Sequence, residues 1–591
     1  MQILPFEFGA NGANASSLSR LFPIIQTLRS DAENSILLDN GDMFQGNPVG
    51  DCAAEQSNRA GSPTHPAILA LNYARYDAVT LGNHDFNFGL DFLRTVLRSS
   101  QPKIVCSNLR LTPSQAPIPQ LLPHHIIQKE VRDENGNKHL LRIGLLGTVP
   151  QETLIWDNHQ LAGKITFTDA TQSAKTTLQR LQAAGADIVI AMIHAGIGDP
   201  DIAPEPENIA HEIAAIPGID AVIAGHSHQV FPSEAFSKLD GVDVSQGTVH
   251  GTPLTMPGWA ASHLGQIDLS LSKESGRWTV KNGRSAVLPC PVGGPEDEEI
   301  IALATPALKA TKAALRPQIG KTGYPIHSFF AGTPFDNSVA LIAQAQSWYL
   351  KRLLHGSEYQ NTPVLSAASP HRAGDRGGPD AFVYMPPGKI TLQDLAGLYV
   401  YPNTFHALRI NGNELRNWLE HAAILFNTLH PGVAGQSLFN PLVPRYHFEY
   451  VLGVTFQVDV SRPPRRAGQN YGRISNIRYD GAPISDDMEF ILATSTYRAT
   501  GSGGYVQPGT ANTVTSNGDS VRRIVEQYIT QHSPLNLPVR PNWSFAPLSA
   551  TQAEFTTGPS ARDCISELGD INGRFVGVDD DGFGRVRITL G

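Results

Sequence analysis

Along the first half of the chain, short apolar runs alternate with stretches whose apolar residues recur at helical spacing, the pattern of a layered α/β fold. Strands are predicted at Ser35–Asp39, Asp77–Leu81, Lys103–Ser107, Leu141–Gly147, Asp187–Ile193, Asp220–Ala224 and Gly265–Leu271. Helices are predicted between them, among others at Pro66–Arg75 and at Ala170–Ala184, which stops before Gly185. The pattern breaks at Pro291–Pro295 (PVGGP), and a helix from about Glu296 to Leu315 reads as an interdomain connector. From about Ile319 the texture changes. Helices at Asn337–Leu354 and from Asn413 to about Phe426, with strands at Val454–Val460, Ile474–Tyr479 and Glu489–Thr494, indicate an α+β domain. The last stretch carries a hairpin-like RFVGVDDDGFGRVRITL. The expected division is a domain over 1–290, a connector over 291–318, a second domain over 319–540 and an extension over 541–591.

Composition changes this picture little. Lys+Arg 45 against Asp+Glu 54 leaves a net charge of −9, without the basic surplus of a protein that binds nucleic-acid polymers. Cys52, Cys106, Cys290 and Cys564 stand far apart with no C-x-x-C pair, so neither a disulfide framework nor a cysteine zinc site is implied. There is no apolar run of about 18 residues, so no membrane helix is expected. Met1 is followed by QILPFEF, with no basic n-region and no h-region, so no signal peptide is read in the chain as given. GKTG at 320–323 lacks the upstream glycine of a P-loop, HEIAA at 211–215 is not H-E-x-x-H, and no G-x-S-x-G elbow occurs.

Candidate chemistry concentrates just past the ends of the predicted strands. SILLD runs into Asn40-Gly41-Asp42, DAVTL into Gly82-Asn83-His84-Asp85, DIVIAMI into His194, and DAVIA into Gly225-His226-Ser227-His228. Carboxyl ends of strands are where open α/β sheets place ligands. Taken singly, each cluster reads as turn chemistry or a satisfied histidine. Four at successive strand ends point to a metal site. Asp, Asn and His without thiolate suit Mn, Zn, Fe or Co, and a carboxylate able to bridge suggests two ions, as used for phosphoester hydrolysis.

GDxxQG, GNHD, a strand-end histidine and GHSH, in this order, resemble the calcineurin-like metallophosphoesterases. Within them the chain resembles the two-domain 5′-nucleotidase family, and more closely its bifunctional 2′,3′-cyclic-nucleotide 2′-phosphodiesterase/3′-nucleotidase branch. The segments that carry this are NGDMFQGNPVGD, HPAILALNYARYDAVTLGNHDFNFGLDFL, PGIDAVIAGHSHQVFP, MPGWAASHLGQIDL, VLSAASPHRAG, LYVYPNT and YRATGSGGY. The resemblance implies a four-layer α/β/β/α metallophosphoesterase domain followed by an α+β 5′-nucleotidase-type domain. It implies two divalent ions (Mn, Zn, Co or Fe), with Asp42 bridging both, Asn83, His194 and His226 completing one, and His228 on the other. His84 would face the scissile phosphate or protonate the leaving ribose oxygen, with the attacking water acidified by the ions. Asp85 matches the acidic position of the motif and is counted with His84 as catalytic. Asn87 stands where 5′-nucleotidases have an aspartate behind the histidine.

In the second domain the resemblance matches Tyr401 and Tyr505 to an aromatic pair that sandwiches the base, and Arg372 to a phosphate or ribose contact. Nucleotides and 2′,3′-cyclic nucleotides are the implied partners, with no nucleic-acid polymer, no membrane and a monomeric state expected. Relatives carry an Asp-x-His on their first strand, and none precedes Asp42 here. The expectation is that Met1 lies immediately after that motif, and a periplasmic location follows from resemblance alone. The alternatives are a 5′-nucleotidase/UDP-sugar hydrolase, or a nucleotide-binding protein inactive through loss of that first motif.

Overall fold

Strand Ile188–Ile193 explains the layering of the first half: Ile188, Ile190 and Met192 enter one core while Val189, Ala191 and Ile193 enter another. Side chains alternate across a strand, so a run that is apolar throughout is covered on both faces. The computed structural model describes residues 1–5, 16–57, 63–198, 207–274, 276–291, 293–441, 443–465, 472–505, 512–536 and 541–591. Its strand Ile188–Ile193 lies in a mixed sheet between Ala221–Ile223 and Lys138–Thr148, parallel to both. Ala78 and Val105, which share the inner core, come from a second sheet. That sheet runs Leu38–Asp39, Ala78–Thr80, Lys103–Val105, Leu121–Leu122, all parallel. There Val79 and Ile104 turn the other way, toward helices Pro66–Ala74 and Gly89–Leu97. Helices Ala170–Ala183 and Ala210–Ala214 cover the far face of the first sheet. The result is the four-layer α/β/β/α arrangement. Each Ile, Val or Met among these side chains is worth about 1.5–3 kcal/mol when fully buried, and a slip of one residue would exchange the two cores.

The predicted strands and helices all form, most with trimmed ends. The chain divides into two compact units, the first reaching Ala313 and the second running from Ala314 to Gly591. The predicted connector is helix Glu298–Leu315, whose Ile300 and Ala304 are buried in the helix-side core of the first unit. It therefore packs as part of that unit rather than standing between two.

The second unit is built on a five-stranded sheet in the order Tyr450–Leu452, Val364–Ala368, Glu489–Ser495, Phe405–Asn411, Thr513–Thr515. Helix Asn337–Leu354 packs on it, its start fixed by the Asp336 side chain accepting from the Ser338 and Val339 backbone N–H groups. Residues 541–591 are not an appendage. Gln552–Thr557 pairs with both Gln436–Ser437 and Gly584–Thr589, and Phe555, Val586 and Ile588 join the common core. The predicted hairpin is Arg574–Val578 against Gly584–Thr589. Among the described residues no helix is long and apolar enough to cross a membrane.

Candidate active site

The polar clusters meet because their strands end side by side. Leu38–Asp39 lies in register with Ala78–Val79, so the loops that follow emerge together. A Cβ on Gly82 would stand 2.1 Å from Asp42 Oδ1 and 2.6 Å from His194 Cε1, so any larger residue there would displace both side chains. Asp42, His226 and His228 all adopt left-handed backbone, with φ of 58°, 64° and 61°. For non-glycine residues this costs of order 1–3 kcal/mol each, a strain that clusters at functional sites.

Asp85 holds the first of these turns. One of its oxygens accepts from the Asp42 and Gly82 N–H groups, both at 2.9 Å, and the other from Met43 N–H at 2.7 Å. Burial raises its pKa to about 6, with the Asp42 charge adding to the shift. Asp85 was expected among the catalytic residues. The structure corrects this, because its carboxylate is buried and committed to backbone, which makes it a positioning group.

The donor atoms face one another in pairs. His194 Nδ1 lies 2.6 Å from the Asn40 carbonyl oxygen, which can only accept, so Nδ1 carries the hydrogen. Nε2 then presents a lone pair 3.1 Å from Asp42 Oδ2, yet makes no hydrogen bond of acceptable geometry. Two facing acceptors repel unless a cation or a proton lies between them. Burial opposes charging of His194, but the Asp42 carboxylate outweighs it and lifts the pKa to about 9. Burial likewise opposes ionisation of Asp42, and His194 and His84 together hold it well below the usual carboxylate range. His226 Nδ1 stands 3.1 Å from Asn83 Oδ1. Ligands bound at about 2.0–2.2 Å to one divalent ion stand about 3 Å apart, the spacing found within each of these two pairs, although no three of the carboxylate and imidazole ligand atoms here lie within 4.8 Å of one another. The His194 and His226 rings are 5.5 Å apart, and His228 stacks on Trp259 at 5.3 Å.

His84 donates its backbone N–H to Asp42 Oδ1 at 2.9 Å. Its Nδ1 is 2.8 Å from Asn87 Oδ1, and the Asn87 amide nitrogen lies 3.0 and 2.9 Å from the two oxygens of Asp157. Glu207 Oε2 lies 3.7 Å from His226 Nε2, and Trp156 stacks on the His226 ring at 5.6 Å. Asp157, Glu207, Trp156 and Trp259 were not singled out from sequence. None follows a predicted strand, so the strand-end signal passes over them.

In the second unit the backbone brings the segment carrying Arg372 to Tyr401. His371, beside Arg372, lies 5.5 Å from the Tyr401 ring. Burial, then Arg522 and Arg498, press His371 down to about 3, so it is neutral. Tyr505 differs from expectation. It is 2% exposed, donates its hydroxyl to the His447 carbonyl at 2.7 Å, and has the Arg498 guanidinium 4.5 Å from its ring. A ring so enclosed offers no face to a base. Tyr497, at the start of the same glycine-rich turn, is part-exposed, with Arg498 5.0 Å from its ring. Tyr401 and Tyr497 lie at one end of a paired strand couple, since Thr496 N–H donates to the Thr404 carbonyl and Phe405 pairs with Ser495.

Two family models match: the calcineurin-like phosphoesterase model over residues 12–230, and the 5′-nucleotidase C-terminal domain model over residues 333–509. The 2′,3′-cyclic-nucleotide 2′-phosphodiesterase/3′-nucleotidase of Salmonella typhimurium is 33% identical over 97% of this chain and 92% of its own. The chain belongs to that family. The trifunctional nucleotide phosphoesterase protein YfkN of Bacillus subtilis is 34% identical over 97% of this chain. This chain spans 40% of that larger protein. A crystal structure of a putative 5′-nucleotidase from Staphylococcus aureus shares the fold, with a TM-score of 0.70 at 21% identity over 92% of this chain and 97% of that one.

Proposed function

We propose that this chain hydrolyses 2′,3′-cyclic nucleotides to 3′-nucleotides and then releases the 3′-phosphate, at a two-metal site in its first unit. The observation that supports the reading is the meeting, at adjoining strand ends, of Asp42 and His194, 3.1 Å apart, beside Asn83 and His226, also 3.1 Å apart. On this reading Asp42, Asn83, His194, His226 and His228 would hold the ions, with Asp42 shared between them. Divalent ions bound there supply Lewis-acid stabilisation of phosphoryl oxygens and acidify the attacking water. The donor set, without thiolate, suits Mn, Zn, Co or Fe.

The chain's own residues do the rest. His84 is anchored to Asp42 by its backbone and to Asn87 by Nδ1, which leaves Nε2 to meet a phosphoryl oxygen or the leaving ribose oxygen. Both cleavages break a P–O bond to neighbouring ribose oxygens, so one histidine serves both. In the second unit Tyr401 and Tyr497 are the proposed base platform, because each keeps part of its ring exposed. Stacking is worth about 1–3 kcal/mol per base and tolerates any base. Arg372 is assigned to the phosphate or ribose.

The test is kcat/KM for 2′,3′-cyclic AMP, 3′-AMP, 5′-AMP and UDP-glucose on metal-loaded protein. The first two should exceed the others. Preference for 5′-AMP or UDP-glucose would replace this reading with a 5′-nucleotidase/UDP-sugar hydrolase, and nucleotide-induced stabilisation without turnover would mark a binding protein.

A further inference from the structure

We infer that Asp157 is a positioning residue for His84, acting through the side-chain amide of Asn87, so that the chain His84–Asn87–Asp157 sets which imidazole nitrogen faces the substrate. The inference rests on the reading of His84 as the group that meets the phosphoester. It follows from the hydrogen-bonding capacity of each atom. An ionised carboxylate only accepts, so Asp157, with both oxygens within 3.0 Å of the Asn87 amide nitrogen, holds the NH2 end of that amide. The amide oxygen is thereby turned to His84 Nδ1 at 2.8 Å. An amide oxygen also only accepts, so Nδ1 carries the hydrogen and Nε2 is left as the nitrogen that takes up a proton, which it then donates to a phosphoryl or leaving ribose oxygen.

Without Asp157 nothing in this chain of contacts forbids the amide from rotating by half a turn. It would then offer NH2 to Nδ1 and reverse the tautomer. Asp157 is 5% exposed, so water does not compete for its oxygens. It reaches Asn87 from the turn between helices Thr153–Trp156 and Asn158–Leu161, 70 residues away in sequence. A carboxylate directly behind the histidine would fix the same tautomer. Here the neutral amide separates the charge from the ring, so orientation is fixed without a negative charge against the imidazole.

The test uses Asp157→Asn, Asn87→Asp and the double variant that exchanges the two side chains. Melting temperature and metal content are measured on each to establish that it folds. Asp157→Asn should lower kcat about 10- to 100-fold with KM little changed, since acid–base positioning acts on the chemical step. Asn87→Asp sets two carboxylates against each other and should also lose turnover. The double variant again places an acceptor at His84 Nδ1, with a donor behind it, and should recover to within about threefold of the parent. Nitrogen-15 NMR of selectively labelled histidine, with His84 assigned by its loss in His84→Gln, should show the Nδ1–H tautomer in the parent and the double variant and a mixture in Asp157→Asn. Parental kcat in Asp157→Asn, an unchanged tautomer there, or a double variant no better than the worse single would overturn the inference. If the parent hydrolyses no phosphoester, the functional reading fails, while the tautomer measurement still decides the role of Asp157.

Discussion

His194 Nε2 and Asp42 Oδ2 face each other at 3.1 Å, while the other nitrogen of the same ring is held by the Asn40 carbonyl. A proton or a metal ion between them satisfies the pair, and removal of metal separates the two cases. Dialysis against EDTA should abolish phosphoester turnover and lower the melting temperature, and Mn2+ or Zn2+ should restore both. At an ion concentration of 100 Kd the stabilisation should be about 2.7 kcal/mol. Asp42→Asn should reduce metal content, read by elemental analysis, and lower kcat on the order of 10²–10³-fold or more.

Tyr497 and Tyr505 lie eight residues apart on one turn, and their exposure separates their roles. Tyr401→Ala and Tyr497→Ala should each raise KM for 2′,3′-cyclic AMP with kcat little changed, by the equivalent of about 1–3 kcal/mol. Tyr505→Phe removes a buried hydrogen bond to the His447 carbonyl, so it should cost about 1 kcal/mol of stability and leave KM unchanged. Steady-state kinetics beside thermal melts on these variants decide the assignment. Because phenylalanine keeps a stacking face, Tyr505→Leu is measured beside Tyr505→Phe, and a KM raised there as far as in Tyr401→Ala with metal content unchanged would return the base platform to Tyr505.

His65 links stability to pH. Its ring is buried at the start of helix Pro66–Ala74, where Nδ1 accepts from the Ala67 N–H at 3.2 Å. Burial presses its pKa from 6.5 down to about 4. The folded state thus binds fewer protons than the unfolded one between those values. The stabilisation is complete above pH 6.5 and is lost as pH falls toward 4. At about 1.4 kcal/mol per pK unit the loss should reach roughly 3 kcal/mol. His65→Asn keeps a capping side chain and should flatten the fall in melting temperature between pH 6.5 and 4.

Arg498 and Glu449 form an ion pair at 2.8 Å with each side chain 1% exposed. Breaking such a pair leaves a buried charge uncompensated, so Glu449→Gln should cost about 3–5 kcal/mol. Because Arg498 also lies beneath Tyr497 and Tyr505, KM should rise as well. Metal content should stay at the parental value, since both residues belong to the second unit. Calorimetry with metal analysis tests all three.

Much of the site was legible because strand ends leave a local signature. An apolar run followed at once by Asn, Asp or His is visible without knowing the fold, and four such runs named Asp42, Asn83, His84, His194, His226 and His228. Asp85 and Tyr505 were named for tasks that their surroundings do not favour. Their residue types fit a ligand site, whereas burial against backbone N–H groups in one case and beneath Arg498 in the other is a matter of packing.

Local order alone therefore determined the layers and the ligand types: the alternation within Ile188–Ile193 dictates two cores, and parallel strands bring their polar ends to one edge. What only the tertiary structure decided is who partners whom across long separations. Asp157 finds Asn87 over 70 residues, Glu207 approaches His226, and residues 541–591 close the core of the second unit. Hydrogen bonds and burial depend on distance in space, and periodicity along the chain records only neighbours within a few residues.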